Sequence, residues 1–132
     1  MTNKKVFGKT TIKVAGTTFE NRQGKLLYMK KHMNGAYLTL RKAKHNENDP
    51  YAVEVIAHLP ETGSHFCAGY IPRNKAFWIT KALDDGLVLK TYKPEVVGIY
   101  KKTSLGLHFT LFYELPAAKI APAIEHIPAE EA

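Results

Sequence analysis

Apolar residues recur along this chain with two periods. Residues 10–16 alternate, with Ile12 and Val14 on one side and Thr11 and Lys13 on the other, in a β-branched stretch. That is the pattern of a half-buried strand. The alternation returns at 36–42, where Leu38 and Leu40 face inward and Tyr37, Thr39 and Arg41 outward. It returns again at 51–57 through Val53 and Val55, at 66–71, and at 107–113 through Leu107, Phe109 and Leu111. Residues 87–93 and 95–102 are also strand-like, with Pro94 between them as an edge or a bulge. Residues 59–64, with Pro60 and Gly63, read as a hairpin-like connection.

Two stretches carry helical spacing instead. Leu26, Met29 and Met33 mark the first, which Glu20 and Asn21 can start and Asn34-Gly35 stops. Ala76, Ile79 and Leu83 mark the second, opened by Pro72 and capped by Gly86, with Phe77 and Trp78 expected to widen its buried stripe. Mainly β with two helices (α+β) is therefore the expected class, and about six short strands predict a small, partly open barrel with the helices packed on it. Phe19 falls just outside the first strand, either as a core plug or as an exposed stacking platform.

A length of 132 residues suits one domain. Residues 1–9 read as a loose basic N-terminus, 10–115 as the folded domain, and 116–132 as an Ala-, Pro- and Glu-rich tail without a period. Hydrophobic residues at 45% and charged residues at 23% fit an ordinary globule. No apolar run is long enough for a bilayer, and no signal-type apolar core follows the first residues. The lone Cys67 forms no internal disulfide, which makes a reducing cytoplasm the natural setting.

Charge adds a partner class. The formal net charge is +7, and residues 114–132 contribute −3, which leaves +10 on residues 1–113. A basic body favours a polyanion, nucleic acid being the commonest; the plain alternative is a solvated lysine surface that keeps the protein soluble.

Catalytic signatures are missing. There is no Gly-Lys-Ser/Thr phosphate loop and no Gly-x-Ser-x-Gly elbow. Cys67 sits in an apolar strand and reads as a buried, inert thiol. His58, His65 and Cys67 lack the paired spacing of a zinc site, so no metal and no cofactor is expected. A nuclease reading finds little support, because Glu47, Asp49, Asp84 and Asp85 form no recognisable acid/base pair.

What remains is a set at strand ends and loop starts. Asn46-Glu47-Asn48-Asp49-Pro50-Tyr51 is a polar turn that runs into a strand. Phe19, Asn46, Asn48, Asp49, Tyr70 and Arg73 are the candidates, with Thr18 and Lys75 beside them. Aromatic rings stack on bases, amides and carboxylates read base or sugar edges, and cations hold phosphate.

Three segments carry a resemblance to a family. Asn46-Glu47-Asn48-Asp49-Pro50-Tyr51-Ala52-Val53 resembles the Asn-Pro-Tyr-Asp-x-Asn-Ala-Val signature of HIRAN domains. Gly69-Tyr70-Ile71-Pro72-Arg73 is similar to the element before their second helix, and Val14-Ala15-Gly16-Thr17-Thr18-Phe19 to their opening strand and aromatic. Order and spacing hold over residues 10–113. The resemblance implies a six-stranded OB- or SH3-like barrel with two helices. It implies a non-enzymatic module for single-stranded DNA or DNA ends in repair or stalled-fork processing, with a helicase or other repair protein as partner. Carried over, Phe19 stacks on a terminal base, Asn46 and Asp49 bond the 3′-end nucleotide, Tyr70 lines the pocket and Arg73 contacts a phosphate. Glu47 and Asn48 stand where the family has Pro and Tyr, and Glu20 where an end-binding member has a second aromatic. The alternative is a protein–protein interaction module that uses the same groove.

Overall fold

The computed structural model describes residues 5–19, 21–43, 50–86 and 88–116. The chain order is β1 (Lys5–Lys13), α1 (Arg22–Lys31), β2 (Tyr37–Lys42), β3 (Val53–Leu59), β4 (Ser64–Tyr70), α2 (Arg73–Asp84), β5 (Val88–Val97) and β6 (Gly106–Pro116). The six strands form two antiparallel three-stranded sheets, ordered β1-β6-β5 and β2-β3-β4. Six strands and two helices were expected, and that is the architecture. Among the described residues the ladders do not run on into one closed barrel.

The sheets meet at two seams. At one, Ala15 and Tyr70 exchange backbone hydrogen bonds of 2.7 and 2.9 Å, an isolated bridge just past the end of β1. At the other, the Thr91 hydroxyl of β5 donates to the Leu38 carbonyl of β2 at 2.7 Å. Between them lies one core, which takes Ile12 and Val14, Leu38, Val53 and Val55, Leu107, Phe109 and Leu111 from the strands. These are the inward positions of the alternation. Leu26 and Met29 of α1 and Ala76 and Ile79 of α2 complete it.

Several elements depart from the pattern, each for a physical reason. β1 begins at Lys5, ahead of the alternation, because its register with β6 runs from Lys5 opposite Pro116 to Lys13 opposite His108. β5 is one strand with a bulge, its register shifting between Tyr92 and Glu95 where Pro94 cannot donate to the ladder. Residues 98–102 are not strand: Thr103 turns back and its backbone N–H donates to the Ile99 carbonyl at 2.8 Å. Phe77 is 52% exposed and does not widen the buried stripe of α2. It stands on the outer side of the helix, edge-on to Tyr51 at 4.8 Å. Trp78 does pack inward, edge-on to Tyr113 at 5.3 Å. Cys67 is half-buried, not buried, with Sγ 3.4 Å from the Gly69 carbonyl.

Candidate functional site

The seam at Ala15 and Tyr70 brings together two of the described candidates, Phe19 and Tyr70. The ladder of β1 stops at Lys13, Val14 donates to the Leu107 carbonyl at 2.9 Å, and Ala15 crosses to the other sheet. The chain then turns at Gly16, whose φ of +75° suits a residue without a side chain. Phe19 donates its N–H back to the Gly16 carbonyl at 3.3 Å, and Arg22 donates its own to the Phe19 carbonyl at 3.0 Å. Residues 16–19 are thus a tight turn that leads into α1.

Two side chains clamp this turn. Arg22 is only 5% exposed. Its Nη1 donates to the Gly16 carbonyl at 2.8 Å, and its guanidinium carbon lies 5.3 Å from the centre of the Tyr70 ring. Cation and ring attract each other at that range. Gln23 holds the other side: Nε2 donates to the carbonyls of Thr17 and Leu105, and Oε1 accepts the Leu105 N–H at 2.7 Å. A turn fixed this firmly could have folded an aromatic inward. Instead Phe19 is 66% exposed.

Phe19, Tyr70 and Arg22 gather around Gly16. A methyl group there would sit 3.4 Å from Arg22 Nη1, 3.7 Å from Tyr70 Cδ1 and 3.9 Å from Phe19 Cδ2. The structure therefore brings Phe19 and Tyr70 together, residues far apart in sequence. Thr18 is exposed on the same turn.

Tyr70 passes directly into the elbow that opens α2. Ile71 donates to the Val53 carbonyl, and Pro72 starts the helix that carries Arg73 and Lys75 in its first turn. That turn holds no acidic residue and no side-chain cap. The positive end of the helix dipole adds to the two cations there.

Asn46, Asn48 and Asp49, with Glu47 and Glu20, lie outside the described residues. The flanks of residues 44–49 are described. Ala43 donates to the Ala52 carbonyl, and the Thr80 hydroxyl of α2 donates to the Tyr51 carbonyl at 2.9 Å. Glu54 at the start of β3 pairs with Tyr70 at the end of β4. The β2–β3 connection therefore leaves the sheet at the same end as the elbow 70–73.

Arg22, Gln23 and Gly16 were not among the candidates. Arg22 could have been found: it is four residues before Leu26 and seven before Met29, so it continues their stripe. A charged residue at a stripe position signals a specific partner. Gln23 carried no such signal, because its partner Leu105 is distant in sequence.

A second polar group sits on the outer face of β2, β3 and β4. Tyr37 stacks on His58 at 4.6 Å, His65 lies 6.0 Å beyond, and Thr39 Oγ1 is 2.8 Å from His58 Nε2. Burial, and then the neighbouring His65, push the His58 pKa below its ordinary value. Among the described residues no three His, Cys, Asp or Glu side chains are grouped to hold a metal ion.

Fold and site define a small two-sheet β domain with an aromatic–arginine surface where its sheets join. Residues 7–114 match the HIRAN domain family, and the chain belongs to it. A crystal structure of a protein from Lactobacillus plantarum shares the fold, with a TM-score of 0.55 and 20% identity over 85% of this chain and 99% of that one. No curated protein matches the sequence. No described helix is long and apolar enough to cross a membrane.

Proposed function

We propose that this protein is a non-catalytic nucleic-acid-binding module that holds single-stranded DNA by its 3′ end, in repair or stalled-fork processing. The observation that carries the proposal is the exposed Phe19 ring, held on a clamped turn beside Tyr70. A solvated ring costs hydrophobic stabilisation, and a preorganised one gives a base a stacking surface at little entropic cost. Arg73, Lys75 and the start of α2 supply the phosphate side. Asn46, Asn48 and Asp49 are assigned to reading the end nucleotide, and Thr18 to assisting Phe19 from the same turn. We read the two sheets as halves of a small OB-like barrel, a reading supported by their contacts at both seams. The bulge in β5 interrupts a strand edge, which disfavours the rival reading of peptide-strand addition.

Titration with labelled single strands, free or 3′-phosphorylated, tests the proposal. The free end is expected to bind more tightly, and Phe19→Ala to weaken it by about 1–3 kcal/mol. Asp49→Ala should erase the difference between the ends. Equal affinity of the wild-type protein for both strands would remove end recognition. Affinity that ignores salt would remove nucleic acid as the ligand.

A further inference from the structure

The outer face of the β1–β6–β5 sheet is not used by that site. Its inner face packs Ile12, Phe109 and Leu111 into the core, so alternation puts the facing positions in water. Such a face is ordinarily polar. Here the registers place Lys9, Phe112 and Lys90 side by side across the three strands, and Tyr92 in the next row beside Phe112. Phe112 is 39% exposed and Tyr92 59%. Their rings meet edge to face at 5.8 Å. The third row adds Lys13 and Glu95, and the register puts Glu114 at the row on the other side of Phe112. The described ion pairs lie elsewhere, at Arg41–Glu54, Lys42–Asp84 and His32–Glu61.

Neither aromatic is needed by the core, and an exposed pair on a sheet face is a liability unless something covers it. The flanking charge selects the cover. Three lysines against Glu95 and Glu114 leave an excess of positive charge that favours a polyanion, and aromatics between lysines on a sheet suit unpaired bases. We infer that this face is a second nucleic-acid surface, on which Tyr92 and Phe112 stack bases of a single strand while Lys9, Lys13 and Lys90 hold its phosphates. Lys13 is three residues before Gly16 along the chain, so the face adjoins the Phe19 site and lengthens it. The inference extends the nucleic-acid reading to residues that end recognition does not require.

Anisotropy with a long labelled oligothymidine, using the full chain, tests it. Tyr92→Ala should weaken binding roughly tenfold, and Tyr92→Phe, which keeps the ring, should not. Lys9→Ala with Lys90→Ala should flatten the dependence of log affinity on log salt by roughly 0.7 per lysine. Discrimination between free and 3′-blocked ends should survive in all three variants. If that discrimination is absent from the wild type as well, the end reading fails while the Tyr92 comparison still stands. Wild-type affinity and salt slope in both the Tyr92→Ala and the lysine variants would overturn the inference. So would conversion of a dimer to a monomer by Tyr92→Ala at unchanged affinity, which would assign the face to a second copy of the chain.

Discussion

Arg22 shows how one side chain can organise a surface. It is buried, it satisfies the Gly16 carbonyl, and it faces the Tyr70 ring. Arg22→Ala removes the shorter of the two hydrogen bonds to that carbonyl, leaving the 3.3 Å bond from the Phe19 N–H, and loosens the turn that presents Phe19. A loss of about 1–3 kcal/mol in urea unfolding is expected, with weaker strand binding beyond what the loss of fold explains. Arg22→Lys keeps the charge but not the planar fork, so it should restore little. Gly69 is as demanding. Its φ is +151°, and a Cβ there would lie 2.3 Å from the Ala15 carbonyl oxygen. Gly69→Ala should cost about 1–3 kcal/mol from the backbone alone, and more because it forces the bridge apart; urea unfolding reads both.

At the scale of elements, the seams carry the joining of the sheets. The hydrogen bond from Thr91 to Leu38 is a side-chain contact, not part of a ladder. Thr91→Val keeps the shape and removes the donor, and should lower stability by about 1 kcal/mol without altering the Phe19 seam. The outer face of β2, β3 and β4 gives a pH-dependent prediction. The pKa of His58 is lowered in the folded protein, so below about pH 6.5 the unfolded chain binds more protons. Stability from this group is therefore highest above that value and falls as the pH drops through it. Urea midpoints should decline in acid, and His58→Gln should make the decline shallower. Elements were legible where one face was buried. Ile12, Val53, Val55, Leu107 and Phe109 alternate because water lies on one side and the core on the other. Legibility failed where a distant partner decided. Residues 5–9 lack alternation, yet β6 pairs with them. Phe77 looked like core, yet α2 presents Ala76, Ile79 and Ala82 inward.

For the whole molecule, the charge split of the sequence is set against a two-sheet body with two aromatic surfaces. The Phe19 turn and the Tyr92–Phe112 face are each bordered by cations, and a long strand could engage both. Phe19→Ala and Tyr92→Ala should therefore each weaken a long strand, while a strand of only a few nucleotides should respond to Phe19→Ala alone. Affinity measured against strand length separates these outcomes.

The sequence by itself determined the two helices, most of the strands and the positions that alternate into the core, because those are local consequences of side-chain period; it missed residues 5–9 and overran at 98–102. It also carried the motifs of the HIRAN family, since a Gly-Tyr-Ile-Pro-Arg elbow and an Asn-rich turn are contiguous. Only the tertiary structure decided that Phe19 and Tyr70 meet at Gly16, with the buried Arg22 against the tyrosine ring. Ala15 crosses from one sheet to the other, and no periodicity records a bridge between residues so far apart. The same holds for Tyr92 beside Phe112. Their juxtaposition depends on the register of residues 88–92 against 110–114, and a shift of one residue there would have turned the tyrosine to the opposite face.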